Sequence, residues 1–132
     1  MKKLLIPFVL LLSFVILPSL PLKAAEEFTF ISTEDLAKGI QDKSLVVVDC
    51  NLPETYQKGH IPSAVHMNSS QPDANVLPKD KNSNLVFYCK NPKCMASHEG
   101  ARFAVTQGYT KVRVYPLGID GWEQAGMKVE TK

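Results

Sequence analysis

Residues 25–132 of this 132-residue chain lack any excess of charge. Three of the chain's 15 basic residues lie in its first 24 positions, which leaves 12 against 13 acidic residues in the remainder. The formal charge of +2 therefore belongs to the leading segment. A nearly neutral remainder carries no electrostatic footprint for nucleic acid or an anionic membrane surface. Repeats and low-complexity linkers are also missing from 25–132, so the length suits one domain with one core. Cysteine is scarce: there are three, an odd number, so they cannot all pair within one monomer.

Apolar residues, by contrast, crowd the start, in MKKLLIPFVLLLSFVILPSLPLKAA. Lys2 and Lys3 form a positive leader, an apolar run extends from Leu4 to Leu20, and Leu22-Lys23-Ala24 offers a small residue for cleavage. The pattern predicts a signal peptide over 1–24 and a mature domain over 25–132. An uncleaved anchor of about 20 residues is the alternative, and Pro7, Pro18 and Pro21 weigh against a stable spanning helix. Export to a bacterial periplasm is the expected destination, or an inner-membrane anchor facing the periplasm if cleavage fails. Outside the cytoplasm thiols tend to pair or to be kept reduced by dedicated partners.

Short apolar runs alternate with helical patterns through the rest of the chain, which predicts an α/β domain with a mainly parallel sheet. EEFTFIS reads as a short strand, followed by a helix that Ser32 or Thr33 can cap and that ends near Gly39. LVVVDC (45–50) and NLVFYC (84–89) are continuous apolar runs and hence strands covered on both faces. Between them Pro53 can start a brief helix ended by Gly59, and 68–84 reads as polar loop with one helical turn. From Met95 the small and apolar positions Ala96, Gly100, Ala101, Ala104 and Val105 recur at helical spacing until Gly108. KVRVYPL (111–117) is a further strand, and Trp122 falls in a last short helix. Right-handed crossovers bring the carboxyl ends of LVVVDC and NLVFYC to one sheet edge, where α/β sheets bind ligands. Cys50 and Cys89, which end those two runs, are expected neighbours there.

Three segments of this frame resemble the rhodanese family of sulfurtransferases. VVVDCNLPETYQKGHIPSAVHM (46–67) is similar to the family's first signature, LVFYC to the strand carrying its catalytic cysteine, and GYTKVRVYPLGIDGWEQAG (108–126) to its closing segment. The resemblance implies a rhodanese-like fold, with a mainly parallel central sheet flanked by helices on both faces. It also implies Cys89 as nucleophile, followed by an anion-cradling loop of Lys90, Asn91, Pro92, Lys93, Cys94, Met95, Ala96 and Ser97. The implied chemistry takes sulfur from a small donor such as thiosulfate or a persulfide and passes it to a thiol acceptor, without a cofactor. Nucleic acid is no partner, and a membrane is one only if the first segment stays uncleaved.

The residues themselves support that chemistry. A cysteine between a buried strand and a helix N-terminus meets converging backbone N–H groups and the positive end of the helix dipole. Such surroundings lower a thiol pKa, and the thiolate is the reactive form. Lys90 and Lys93 add positive charge that favours an anionic sulfur and anionic donors. The loop nevertheless departs from the family pattern: it is two residues longer, carries Ala96 where an Arg is usual, and retains Ser97, an expected helix N-cap. Cys50-Asn51 stands where the first signature often has Val-Arg. The residue six after Cys89 is Met95 and six after Cys94 is Gly100, so the Cys-x5-Arg pattern of the related phosphatases is absent.

Cys94 leaves several roles open. It could resolve a persulfide or mixed disulfide on Cys89, or pair with Cys89, since a loop of this length can bring Cα atoms within the ~4.4–6.8 Å a bridge requires. It could be a small packed residue of the first helical turn. With Cys89 and His98 it also makes a Cys-x4-Cys-x3-His set suited to Cu(I) or Zn, although no fourth ligand is evident. Cys50, His98 and Asp49 are auxiliary candidates: a third thiol, a cation near the nucleophile, and a carboxylate holding turn amides. The leading expectation is an exported sulfurtransferase carrying a persulfide on Cys89. The alternatives are a periplasmic thiol-redox or soft-metal module using Cys89, Cys94 and His98, and a catalytically silent rhodanese-fold binding domain.

Overall fold

A computed structural model of the chain describes residues 2–3 and 27–132. The expected signal segment, 1–24, lies outside the described residues apart from Lys2 and Lys3. Five parallel strands form one sheet: β1 (Thr29–Phe30), β2 (Val46–Asp49), β3 (Val65–His66), β4 (Asn84–Tyr88) and β5 (Lys111–Val114). Their spatial order is β1-β5-β4-β2-β3. Among the described residues four helices connect or follow them: α1 (Thr33–Gln41), α2 (Pro53–Lys58), α3 (Ala96–Thr106) and α4 (Gly118–Gln124). Within the polar 68–84 segment a single 3-10 turn, Ala74–Val76, is closed by Asp73, whose side chain accepts from the Asn75 amide.

The continuous apolar runs form the centre of the sheet because both of its faces are covered. Along β4 the side chains alternate. Leu85, Phe87 and then Cys89 join one core with Val48, Cys50, Ala101 and Ala104. Val86 and Tyr88 join the other with Leu36, Val47, Ile119 and Trp122. Helix α3 thus covers one face, while α1 and α4 cover the opposite one. Gly100 lets α3 approach closely: a Cβ there would stand 2.7 Å from Cys50 Sγ and 3.1 Å from Phe87 Cδ1.

Local signals account for the boundaries. Ser32 caps α1 by accepting the Asp35 amide, and Pro53 takes the first position of α2, where a missing N–H costs nothing. After α3, Gly108 adopts φ +94 and its amide returns to the Val105 carbonyl, a left-handed stop that favours glycine. One expectation fails here. Ser97 is not the N-cap of α3: Met95 holds that position without a side-chain bond, and Ser97 is buried inside the first turn. Its hydroxyl faces the Cys89 sulfur instead of a backbone amide of its own helix.

Candidate active site

Strands β2 and β4 are direct neighbours in register, Asp49 beside Tyr88, and the Cys50 amide donates to the Tyr88 carbonyl at 2.9 Å. The carboxyl ends of both strands therefore share one edge, as the parallel topology requires. Cys89 leaves β4 at that edge and is 2% exposed. Its Sγ lies 3.3 Å from the Cys94 carbonyl oxygen and 3.4 Å from Ser97 Oγ, and the Ser97 amide also donates to it. The sulfur sits at the N-terminus of the 11-residue helix α3, where the dipole is positive.

The longer loop owes its shape to Asn91 and Pro92. Asn91 Oδ1 accepts the Lys93 amide at 3.0 Å, and the Cys94 amide returns to the Asn91 carbonyl at 3.0 Å. Pro92 occupies the second position of this turn, where its fixed φ fits. Two loop amides, those of Lys93 and Cys94, are thereby consumed within the turn. The Ser97 amide is the one that reaches the Cys89 sulfur. Pro92, Lys93 and Met95 are exposed, and Ala96 is half-buried at the start of α3.

The β5–α4 connection clamps the loop from outside. The Ile119 amide donates to the Cys89 carbonyl at 2.9 Å and the Asp120 amide to the Lys90 carbonyl at 3.0 Å. Gly118, at φ +65, makes this approach feasible, because a Cβ there would stand 2.5 Å from the Lys90 carbonyl carbon and oxygen. The Asp120 carboxylate pairs with Lys90 Nζ at 2.7 Å. Sequence reasoning missed Gly118 and Asp120; the signal was the GID triplet before Trp122, a glycine followed by an acid in a first helical turn.

These contacts reverse the ionisation expected of Cys89. The Cys89 thiol is pushed up to about 11, first by burial and next by its hydrogen bond with the Cys94 side chain, while the Ser97 hydroxyl and amide oppose the rise. Removing the thiolate from water outweighs the helix dipole at this site. Lys90 cannot tip the balance, since its charge is matched by Asp120.

The auxiliary candidates separate. Asp49 is fully buried, and its carboxylate accepts from the Asn51 amide at 2.7 Å and from the Tyr88 hydroxyl at 2.5 Å. Burial pushes the Asp49 carboxyl up, and these hydrogen bonds pull it back in part. Tyr88 in turn accepts the Ile61 amide at 2.9 Å, so the trio joins β2, β4 and the chain after α2. Asp49 is a buried tie that holds the β2 turn. Cys50 is buried against α3, and burial followed by the Asp49 charge raises its thiol well above the usual range, leaving it inert at neutral pH. His98 packs edge-on against Phe28 at 5.5 Å and tilted against Phe30 at 5.9 Å, with Nδ1 3.4 Å from Ser97 Oγ. The Ser97 hydroxyl links it to Cys89.

All three cysteines are free thiols, so Cys89 and Cys94 are not bridged. Among the described residues no group of three or more His, Cys, Asp or Glu side chains is arranged to hold a metal ion. Cys89, Cys94 and His98 therefore do not converge as ligands. Beside the loop opens a cleft of about 330 Å³ whose lining includes Cys50, Asn51, Thr55, Ser69, Lys90 and Cys94. Cys94, half-buried, is the loop cysteine that lines this cleft.

Comparison with known proteins bears on the family and the fold. The family model described as "Rhodanese-like domain" matches residues 32–125. A thiosulfate:glutathione sulfurtransferase of Saccharomyces cerevisiae is 31% identical over 110 residues, covering 72% of this chain and 78% of that protein. The thiosulfate sulfurtransferase GlpE of Actinobacillus pleuropneumoniae is 26% identical over 107 residues, covering 81% and 97%. In fold, the chain is similar to the BH2092 protein of Bacillus halodurans, with a TM-score of 0.72 at 24% identity over 78% of this chain and 77% of that one. It is also similar in fold to the human single-domain sulfurtransferase TSTD1, with a TM-score of 0.63 at 19% identity over 72% and 95%.

Proposed function

The chain belongs to the rhodanese-like domain family, and from that membership we propose that it is a sulfurtransferase carrying a persulfide on Cys89. The observation that supports this reading most directly is the position of the Cys89 sulfur. It lies at the N-terminus of α3, within reach of the Ser97 amide and hydroxyl, on the sheet edge where parallel α/β folds bind ligands. The named relatives act on thiosulfate, which makes a small sulfane-sulfur anion the expected donor.

In the first step the Cys89 thiol loses its proton and attacks the outer sulfur of thiosulfate. A Cys89 Sγ–S bond forms, the sulfur–sulfur bond of the donor breaks, and sulfite leaves with the bonding electrons. The contacts from Cys89 to the Ser97 hydroxyl and from there to His98 Nδ1, each 3.4 Å, offer the proton a route away from the sulfur. Loading replaces a neutral S–H with an anionic outer sulfur, for which the helix N-terminus and the Ser97 amide are favourable surroundings. In the second step a nucleophilic acceptor takes the outer sulfur and Cys89 is released.

Export belongs to the same proposal. The lysine-led apolar segment of residues 1–24 serves as a cleaved signal, and the domain works in the periplasm. Protein recovered from cells should then begin at Ala25; an intact Met1 in the membrane fraction refutes cleavage and favours the anchor.

The central test is intact mass and cyanolysable sulfur after incubating reduced protein with thiosulfate. A gain of one sulfur that is kept in Cys94→Ser and absent in Cys89→Ser is the expected result. Sulfur transfer that survives Cys89→Ser overturns the assignment.

A further inference from the structure

We propose that Cys94 is a second sulfur carrier, which receives the outer sulfur from Cys89 and presents it to thiol acceptors bound in the cleft beside the loop. This rests on the persulfide reading of Cys89 and adds the route by which the sulfur leaves. Three observations carry it. Cys89 is 2% exposed, and the cleft is lined by Cys94 and not by Cys89, so an acceptor larger than a few atoms meets Cys94 first. The two residues already touch, with Cys89 Sγ 3.3 Å from the Cys94 carbonyl oxygen across a single turn. A sulfur added to Cys89 extends about 2 Å further, which keeps it within reach of a neighbour across that turn. Finally, the cleft has the size of a small-molecule site, about 330 Å³, where a single water takes ~30 Å³.

The cleft lining also indicates the class of acceptor. Asn51, Thr55 and Ser69 supply amide and hydroxyl groups, and the cation at its edge, Lys90, is already neutralised by Asp120. Such a surface suits a thiol borne on a polar, amide-containing molecule better than a doubly charged anion. The donor and acceptor would thus engage the loop differently: a small anion loads the buried Cys89, and a peptide-like thiol unloads Cys94 at the cleft.

The step balances without an external oxidant or reductant. The Cys94 thiol gives up its proton and attacks the outer sulfur of the Cys89 persulfide. The Cys94 Sγ–S bond forms as the Cys89 Sγ–S bond breaks, and Cys89 leaves as a thiolate that takes up a proton. The acceptor thiolate then attacks the outer sulfur on Cys94 and releases the Cys94 thiolate. Burial favours the protonated form of Cys89, which draws the relay outward once the sulfur has moved.

A single-turnover experiment tests the relay. Purified wild type, Cys94→Ser and Cys94→Ala are loaded with thiosulfate, freed of donor, and discharged with either cyanide or glutathione while bound sulfur is counted by mass. Cyanide is small enough to take sulfur from Cys89 directly; glutathione is a tripeptide thiol. Both variants should load one sulfur and discharge to cyanide within about threefold of wild type, but discharge to glutathione at least ~10-fold more slowly. Wild-type discharge to glutathione by either variant overturns the relay alone. So does equal slowing with both acceptors or loss of loading in both variants, because each puts the defect at Cys89. Conversion of loaded wild type to a Cys89–Cys94 disulfide with release of hydrosulfide also overturns it. A wild type that takes up no sulfur removes the parent reading together with the relay.

Discussion

Gly118→Ala is the substitution whose effect the structure specifies most closely. Gly118 holds φ +65, where an L side chain costs about 1–2 kcal/mol. A methyl group there would stand 2.5 Å from the Lys90 carbonyl carbon and oxygen and 2.7 Å from the Asn91 amide nitrogen. Ordinary contact begins near 3.4 Å, so the loop backbone must retreat by roughly 0.9 Å. It cannot do so freely, because the Cys89 and Lys90 carbonyls are held by the Ile119 and Asp120 amides at 2.9 and 3.0 Å. Overpacking of this kind adds about 1–3 kcal/mol, for a total of about 2–5 kcal/mol. At ~4 °C per kcal/mol for a domain of this size, Tm should fall by about 8 °C or more. A displacement near 1 Å at a nucleophile loop costs on the order of 100-fold in rate. Gly108→Ala is the control: Gly108 has φ +94 but nothing within 4 Å of the added methyl, and it lies at the far end of α3. That variant should lose only the backbone contribution, about 1–2 kcal/mol, and keep full sulfur transfer. The assays are thermal unfolding and thiosulfate-dependent thiocyanate formation from cyanide. If the two variants melt together, or Gly118→Ala transfers sulfur within about threefold of wild type, the clamp has been misread.

Two further outcomes follow from buried groups near the site. A Cys89 thiol at about 11 is ionised roughly 100-fold less at pH 8 than one at the ordinary 9.0, so its alkylation by iodoacetamide, located by peptide mapping, should keep rising beyond pH 9; a plateau below pH 8 contradicts the burial argument. Because burial favours the neutral thiol, the stability it contributes is complete below pH 9 and is lost as pH rises toward about 11, which urea unfolding across that window should register against Cys89→Ala. Tyr88→Phe leaves an oxygen of the buried Asp49 carboxylate and the Ile61 amide without their partner. It should cost about 1–3 kcal/mol in urea unfolding while sulfur transfer stays near wild type; an unchanged midpoint would show that water replaces the hydroxyl.

Much of this molecule could be read from residue order. LVVVDC and NLVFYC are apolar throughout because strands buried on both faces require it, and the observed strands, Val46–Asp49 and Asn84–Tyr88, fall inside those runs. Pro53 and Gly108 were legible because each acts through its own backbone, and Asp49 because its partner amide is only two residues away. Ser97 was misread for a related reason. A serine before a helical pattern looks like a cap, but after the Asn91–Cys94 turn α3 begins two residues earlier, with Met95 at the cap position, and the hydroxyl faces Cys89.

What the sequence determined by itself is the fold and the sheet edge at which Cys50 and Cys89 end their strands, since these follow from periodicity and from residues close together in the chain. The tertiary structure alone decided how those groups behave. Lys90 is neutralised by Asp120, a residue of α4. Asp49 is tied to Tyr88 across neighbouring strands. Gly118 determines how closely α4 meets the loop after Cys89. The Cys89 thiol moves up although its helix dipole pulls it down, because the cost of desolvation is set by everything packed around the sulfur. Which of the two loop cysteines lines the cleft is likewise a matter of packing: Cys89 follows a buried strand into the core on the α3 face, and the turn after it leaves Cys94 at the wall of the cleft.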